Sequence, residues 1–184
     1  MRGVVFGVAL ALALTAQAGV ARAADPFNVT SPTFKDGDTW PTKYVGVDPK
    51  RTPPCGGENV SPPIAWSNVP ANAKSFAVMM YDIDAGNGLA NTHWVAYGLP
   101  LSKTSLAEGE GSSKPKDFIA GKNGYGDEVY FGPCPSADNA AHHYLITVIA
   151  TDLEPNALKP GLTRDELIAA LRGGHALRGA TIVG

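Results

Sequence analysis

The chain has 184 residues and a formal net charge of −2, with 15 lysines and arginines set against 17 aspartates and glutamates. No basic stripe runs along it, which argues against nucleic acid as a partner. Its 21 glycines and 15 prolines are spread along the length and mark turns between short strands, not one disordered tract.

Arg2, the uncharged apolar run Val4 to Leu14 and the small-x-small triplet Ala21-Arg22-Ala23 have the form of a secretory signal. The run falls short of the ~20 residues a spanning helix needs. The expected organisation is a signal peptide over 1–23 and a single domain over 24–184, exported to the periplasm or beyond, with no membrane span in the mature chain. About 160 residues are enough for one sizeable core.

Phe27 to Phe34 reads as an early strand interrupted by Pro32, and Lys35 to Pro41 holds a Gly-Asp turn. Pro53 to Pro63 is loop-like. Ser75 to Tyr81 is a strong strand, and its continuous apolar run Phe76 to Met80 suits a strand covered on both faces. A second strand is expected over Thr92 to Leu99, ended by Pro100. A third runs from His143 to Thr151, rich in β-branched residues. Between the last two, Glu108 to Lys116 is polar, and Gly121 to Gly126 carries too many glycines for an element interior. Thr163 and Glu166 form a capping box ahead of Leu167, Ile168 and Leu171, and Gly173-Gly174 stops that helix. The fold class is mostly β, with a helix near the C-terminus.

Cys55 and Cys134 both lie beside glycine and proline in expected loops. An exported chain meets an oxidising compartment, where such a pair closes as a disulfide; the alternative is two free thiols. No CxxC or HxxxH spacing is present, so no metal and no cofactor is expected.

Polar residues gather at the ends of the three strong strands: Asp82 and Asp84 after the first, His93 in the second, and His142, His143 and Tyr144 opening the third. If these strands are neighbours, their ends converge on one cleft. A histidine beside a carboxylate is pushed toward its protonated form. With a tyrosine hydroxyl and the N–H groups of a glycine loop, it can donate to phosphate oxygens. Asp82 repels a phosphate, and a zwitterionic head group removes the conflict, with phosphate toward His93 and His142 and ammonium toward Asp82. Trp66 and Trp94 read as packing residues, and His175 as ordering the chain after the helix.

Five segments then appear in order: Ser61-Pro62-Pro63-Ile64-Ala65-Trp66, Tyr81-Asp82-Ile83-Asp84-Ala85, His93-Trp94-Val95, Gly132-Pro133-Cys134-Pro135 and His142-His143-Tyr144. Together they resemble the conserved regions of the phosphatidylethanolamine-binding protein family (Raf kinase inhibitor protein-like), in a secreted bacterial form, from about Phe27 onward. The resemblance implies a large central antiparallel sheet packed against a smaller sheet on one face, with peripheral helices against the other. It also implies a small pocket for phosphate, phosphoethanolamine or similar anions. By motif match the pocket residues are Asp82, His93, Gly132, Pro133, His142 and Tyr144, with Asp84 on the second aspartate of the family's Asp-Pro-Asp-Ala-Pro loop. That loop here reads Asp82-Ile83-Asp84-Ala85-Gly86; without prolines to fix φ, a looser rim is expected. His143 replaces an arginine, Gly98 stands where many relatives have asparagine, and Gly184 falls short of the tail the family leads one to expect.

The expected function is binding of a small anionic or zwitterionic phosphate ligand, not catalysis. A different class is an inhibitor or regulator of a protein target such as a protease. An Asp/His hydrolase ranks last, since no Gly-x-Ser-x-Gly elbow, His-Glu-x-x-His or Walker loop is present and Ser61, ahead of two prolines, is a poor nucleophile.

Overall fold

The computed structural model describes Gly3 and residues 25–50, 54–135 and 140–184. Apart from Gly3, the expected signal peptide lies outside the described residues. In chain order the strands are β1 (Asn28–Thr30), β2 (Val47–Asp48), β3 (Cys55–Gly56), β4 (Ile64–Ser67), β5 (Ser75–Asp82), β6 (Asn91–Pro100), β7 (Ser105–Leu106), β8 (Ile119–Ala120), β9 (Tyr144–Thr151) and β10 (Ala176–Val183). A five-stranded antiparallel sheet has the order β10-β9-β5-β6-β8, and a smaller sheet the order β1-β4-β7. The fold is the expected mostly-β one, with few helices.

β5 is central, and its residues are buried almost throughout because both faces are covered. Phe76, Val78 and Met80 join a core with Ile64 and Trp66 of the small sheet and with Trp94, Ile146 and Val148. Ala77 and Met79 face the other way, onto Val95, Tyr97, Leu162, Leu167 and Leu171. The last two leucines belong to the Arg164–Leu171 helix. Its start is fixed as expected: Thr163 accepts from the Glu166 N–H, and the Glu166 carboxylate accepts from the Thr163 N–H. Full burial of Leu167 contributes about 1.5–3 kcal/mol.

Two irregularities interrupt the β5–β6 ladder. Phe76 pairs with Leu99 and Val78 with Ala96, so Tyr97 and Gly98 fall in a bulge, with Gly98 at φ 66°. Asparagine tolerates that φ, but here a Cβ would run into the Pro155 carbonyl oxygen, so glycine is required. The second irregularity, between Met80 and Tyr81, shapes the site described below. The early strand is shorter than expected, only Asn28–Thr30, ending ahead of Pro32.

Candidate functional site

The register of the large sheet sets three strand ends side by side: Asp82 pairs with Tyr144 on one flank and with Asn91 on the other. At the β6 end, Met80 pairs with Trp94 and Tyr81 with Thr92, which leaves His93 as an extra, unpaired residue. Such a bulge re-aims a side chain. Trp94 enters the core, and the next residue back, His93, meets the Tyr144 ring edge-on at 5.3 Å and stacks on Phe131 at 6.3 Å. The bulge therefore brings His93 to the same side as Asp82 and Tyr144.

Asp82 organises the site. The residue is buried, 2% exposed. Oδ1 accepts from the N–H groups of Asp84 (2.9 Å) and Ala85 (3.1 Å), and Oδ2 from His142 Nδ1 (2.7 Å). This one side chain thus folds the β5–β6 connection back on itself and fixes the His142 ring by its Nδ1 edge. The rim beyond it is wound through left-handed residues, Gly86, Asn87, Gly88 and Ala90, in place of the absent prolines.

The opposite wall is the segment Phe131–Cys134. Phe131 N–H donates to the His93 carbonyl (3.0 Å), and His93 Nδ1 lies 2.7 Å from the Phe131 carbonyl. Gly132 N–H donates to Asn59 Oδ1 (2.8 Å), and Pro133 O accepts from Gly46 N–H (2.8 Å). A Cβ on Gly132 would strike the backbone of Tyr44 and Gly46. Cys134 forms the disulfide with Cys55, Cα–Cα 5.8 Å, tying this wall to β3.

Between these walls lies a cavity of about 170 Å³. Of the residues expected from sequence, Asp82, His93, His142 and Tyr144 line it. Gly132 and Pro133 do not; they clamp the wall from behind. Asp84 does not either. It turns outward, where Oδ2 accepts from both the N–H (2.7 Å) and Nδ1 (2.8 Å) of His143. Asn91 and Tyr125 line the cavity without having been expected, Asn91 Nδ2 donating to the Tyr125 hydroxyl at 3.2 Å. The glycines of Gly121 to Gly126 signalled a loop there but not where it places Tyr125.

The electrostatics correct one expectation. A carbonyl only accepts, so His93 Nδ1 carries the hydrogen that binds Phe131 and Nε2 presents a lone pair near Asn91 Nδ2 (3.5 Å). Burial holds the His93 imidazole below the usual histidine range, outweighing the charge of Asp82. At neutral pH it is an uncharged acceptor, not the charged donor read from sequence. Burial, followed by the charge and hydrogen bond of Asp82, pushes the Tyr144 phenol well above its ordinary value, so it stays a hydroxyl. Asp84 is held below the usual carboxylate range, first by the His143 N–H and then by its ring.

The fold and site define a mostly β protein, a large antiparallel sheet with smaller ones beside it and a small polar pocket at the strand ends. The family model described as phosphatidylethanolamine-binding protein matches residues 30–184, and the chain belongs to that family. A UPF0098 protein of Methanothermobacter thermautotrophicus is 33% identical over 159 residues, 85% of this chain and 96% of the relative. LppC of Mycobacterium tuberculosis, provisionally named a lipoprotein, is 35% identical over 160 residues, 85% of this chain and 72% of its own. The crystal structure of Escherichia coli YbcL, described as a new member of the mammalian PEBP family, superposes with a TM-score of 0.75 at 30% identity, covering 86% of this chain and 96% of YbcL.

Proposed function

We propose that this chain is an exported binding protein for a small anion or zwitterion bearing a phosphate group. The observation that carries the reading is the 170 Å³ cavity, which has room for a head group and is lined by hydrogen-bonding groups of both kinds. His142, held through Nδ1 by Asp82, lines the cavity and turns an imidazole toward an anion bound there. The Tyr125 hydroxyl accepts from Asn91 and keeps its own hydrogen to donate. The His93 lone pair and the Asp82 carboxylate suit an ammonium. This moves the phosphate of a zwitterion away from His93, toward His142 and Tyr125. Export is supported by the leader-like sequence, by the Cys55–Cys134 disulfide and by the provisional lipoprotein name of the mycobacterial relative. No helix among the described residues is long and apolar enough to cross a membrane.

The test is thermal stability against phosphate, phosphoethanolamine, phosphocholine and acetate. A ligand at 100 times its Kd adds about 2.7 kcal/mol, a readily measured shift. A shift with the phosphorylated compounds that disappears in His142→Ala is the expected result. No shift with any of them would put a protein target, such as an exported protease, in the ligand's place.

A further inference from the structure

The two edges of the large sheet are treated differently. At β8 the segment ahead of the Arg164–Leu171 helix lies along the edge: Gly161 N–H donates to the Ala120 carbonyl (3.3 Å), and Lys122 N–H to the Leu162 carbonyl (2.9 Å). β10, at the other edge, pairs with β9 alone. Gly184 and Tyr144 exchange both backbone hydrogen bonds, so the register turns the N–H and C=O groups of Ile182, Ala180 and Arg178 inward to β9. Those of Val183, Thr181 and Gly179 turn outward. Both ends of this edge are occupied. Val183 N–H donates to Asp36 Oδ1 (2.8 Å) and its carbonyl accepts from Gly37 N–H (3.0 Å), while the Leu177 carbonyl accepts from Arg178 Nη1 (2.7 Å). Between them Gly179 and Thr181 are exposed, with no backbone partner on the outer side among the described residues.

We propose that two copies of the chain join here, β10 against β10 in antiparallel pairing about a two-fold axis at Ala180. Register selects the axis. It sets Gly179 opposite Thr181 of the second copy, and each such pair exchanges two hydrogen bonds, so every free group on the edge is satisfied. An axis at Gly179 would need the Leu177 carbonyl, already held by Arg178, and one at Thr181 would need Val183, already held by Asp36 and Gly37. Charge agrees with register. The axis at Ala180 sets Leu177 of one copy opposite Val183 of the other. The Arg178 guanidinium at that carbonyl then faces the exposed Asp36 carboxylate at that N–H, twice by symmetry. Nothing bulky intervenes: Gly179 has no side chain, and Ala180, which meets its own copy across the axis, has a single carbon. The bulge at Leu177 ends the ladder.

The experiment is sedimentation velocity of the protein over a concentration series at low and high salt. Wild type is expected to pass from monomer to dimer as concentration rises, and salt should weaken the dimer by screening the Arg178–Asp36 contacts. Thr181→Pro removes an N–H that a single copy does not use, at the cost of one exposed hydroxyl contact with Thr147; proline is tolerated at such an edge position. It should abolish the dimer and leave a folded monomer, checked by its melting temperature. Arg178→Glu, at an exposed position, should raise the dimer Kd roughly tenfold or more, ~1.4 kcal/mol, and guards against a folding defect in the proline variant. Mixing Arg178→Glu with Asp36→Lys, each weakly dimeric alone, should restore pairing, because every charge then meets its opposite. A protein that stays monomeric at every concentration overturns the proposal, as does a dimer that neither Thr181→Pro nor Arg178→Glu weakens. A mixture no tighter than either variant alone overturns the axis at Ala180.

Discussion

Two Asp–His pairs stand side by side at the strand ends and look alike on paper. Asp82 Oδ2 receives His142 Nδ1 at 2.7 Å, and Asp84 Oδ2 receives His143 Nδ1 at 2.8 Å. Their surroundings differ. The Asp82 and His142 side chains are 3% and 9% exposed, those of Asp84 and His143 40% and 62%. An exposed pair is screened by water and worth little, whereas breaking a buried one strands a charge or a donor away from water. The same chemistry is thus an anchor in one place and a surface contact two residues away. Distance alone does not tell them apart.

The comparison breaks most visibly in stability. Asp82→Ala removes the acceptor for two loop N–H groups and for His142 and should cost about 3–5 kcal/mol, read from urea midpoints. Asp84→Ala should cost far less. Equal losses would mean that burial is not what separates the pairs. Ligand binding sharpens the contrast next. His142→Ala should weaken phosphoethanolamine roughly tenfold or more, the loss of one charge-assisted hydrogen bond. His143→Ala, outside the cavity, should leave affinity within about twofold.

A smaller effect follows from His93, which burial keeps neutral. Its folded pKa lies below the ordinary 6.5, so as pH falls through 6.5 the unfolded chain takes up the proton first. The stability tied to neutral His93 is therefore complete above 6.5 and lost as pH falls toward the depressed folded value. Denaturation of wild type and His93→Gln from about pH 8 to about pH 5 should show wild type losing ground to the variant. Parallel curves would mean that His93 is not held neutral.

The strands carrying the site were legible because burial on both faces writes a continuous apolar run, as in Phe76 to Met80. The Thr163 helix start was legible for a local reason, its capping box. β10 was not. Its sequence, Ala176-Leu177-Arg178-Gly179-Ala180-Thr181-Ile182-Val183, has a single buried residue, lies at the sheet edge and borrows its order from pairing with β9. In the site, Asp82, His93, His142 and Tyr144 stood out as polar residues at strand ends. The neutrality of His93 did not, since it comes from burial, at a bulge packed against the Phe131 ring 38 residues away. Tyr125 and Asn91 escaped notice for the same reason: a long-range contact, not a local pattern, places them.

The smallest expected effect concerns the exposed pair itself, and it decides what that pair is. Asp84 Oδ2 accepts from a ring and from a backbone N–H, and the N–H is the larger cause of its lowered pKa. The N–H survives in His143→Ala and carries no titrating charge. Asp84→Ala loses both bonds. Asp84→Ala should therefore lower the melting temperature more than His143→Ala, and added salt should leave most of the difference in place, because a hydrogen bond to a backbone amide is less screened than an ion pair. The sign with pH follows from the lowered carboxyl: its stabilisation is complete above the ordinary value of 3.8 and lost as pH falls through the folded one. Wild type and Asp84→Ala should accordingly converge in acid. If His143→Ala costs as much as Asp84→Ala and salt abolishes both losses, the pair is an ion pair after all, and the neighbouring pairs differ only in degree of screening.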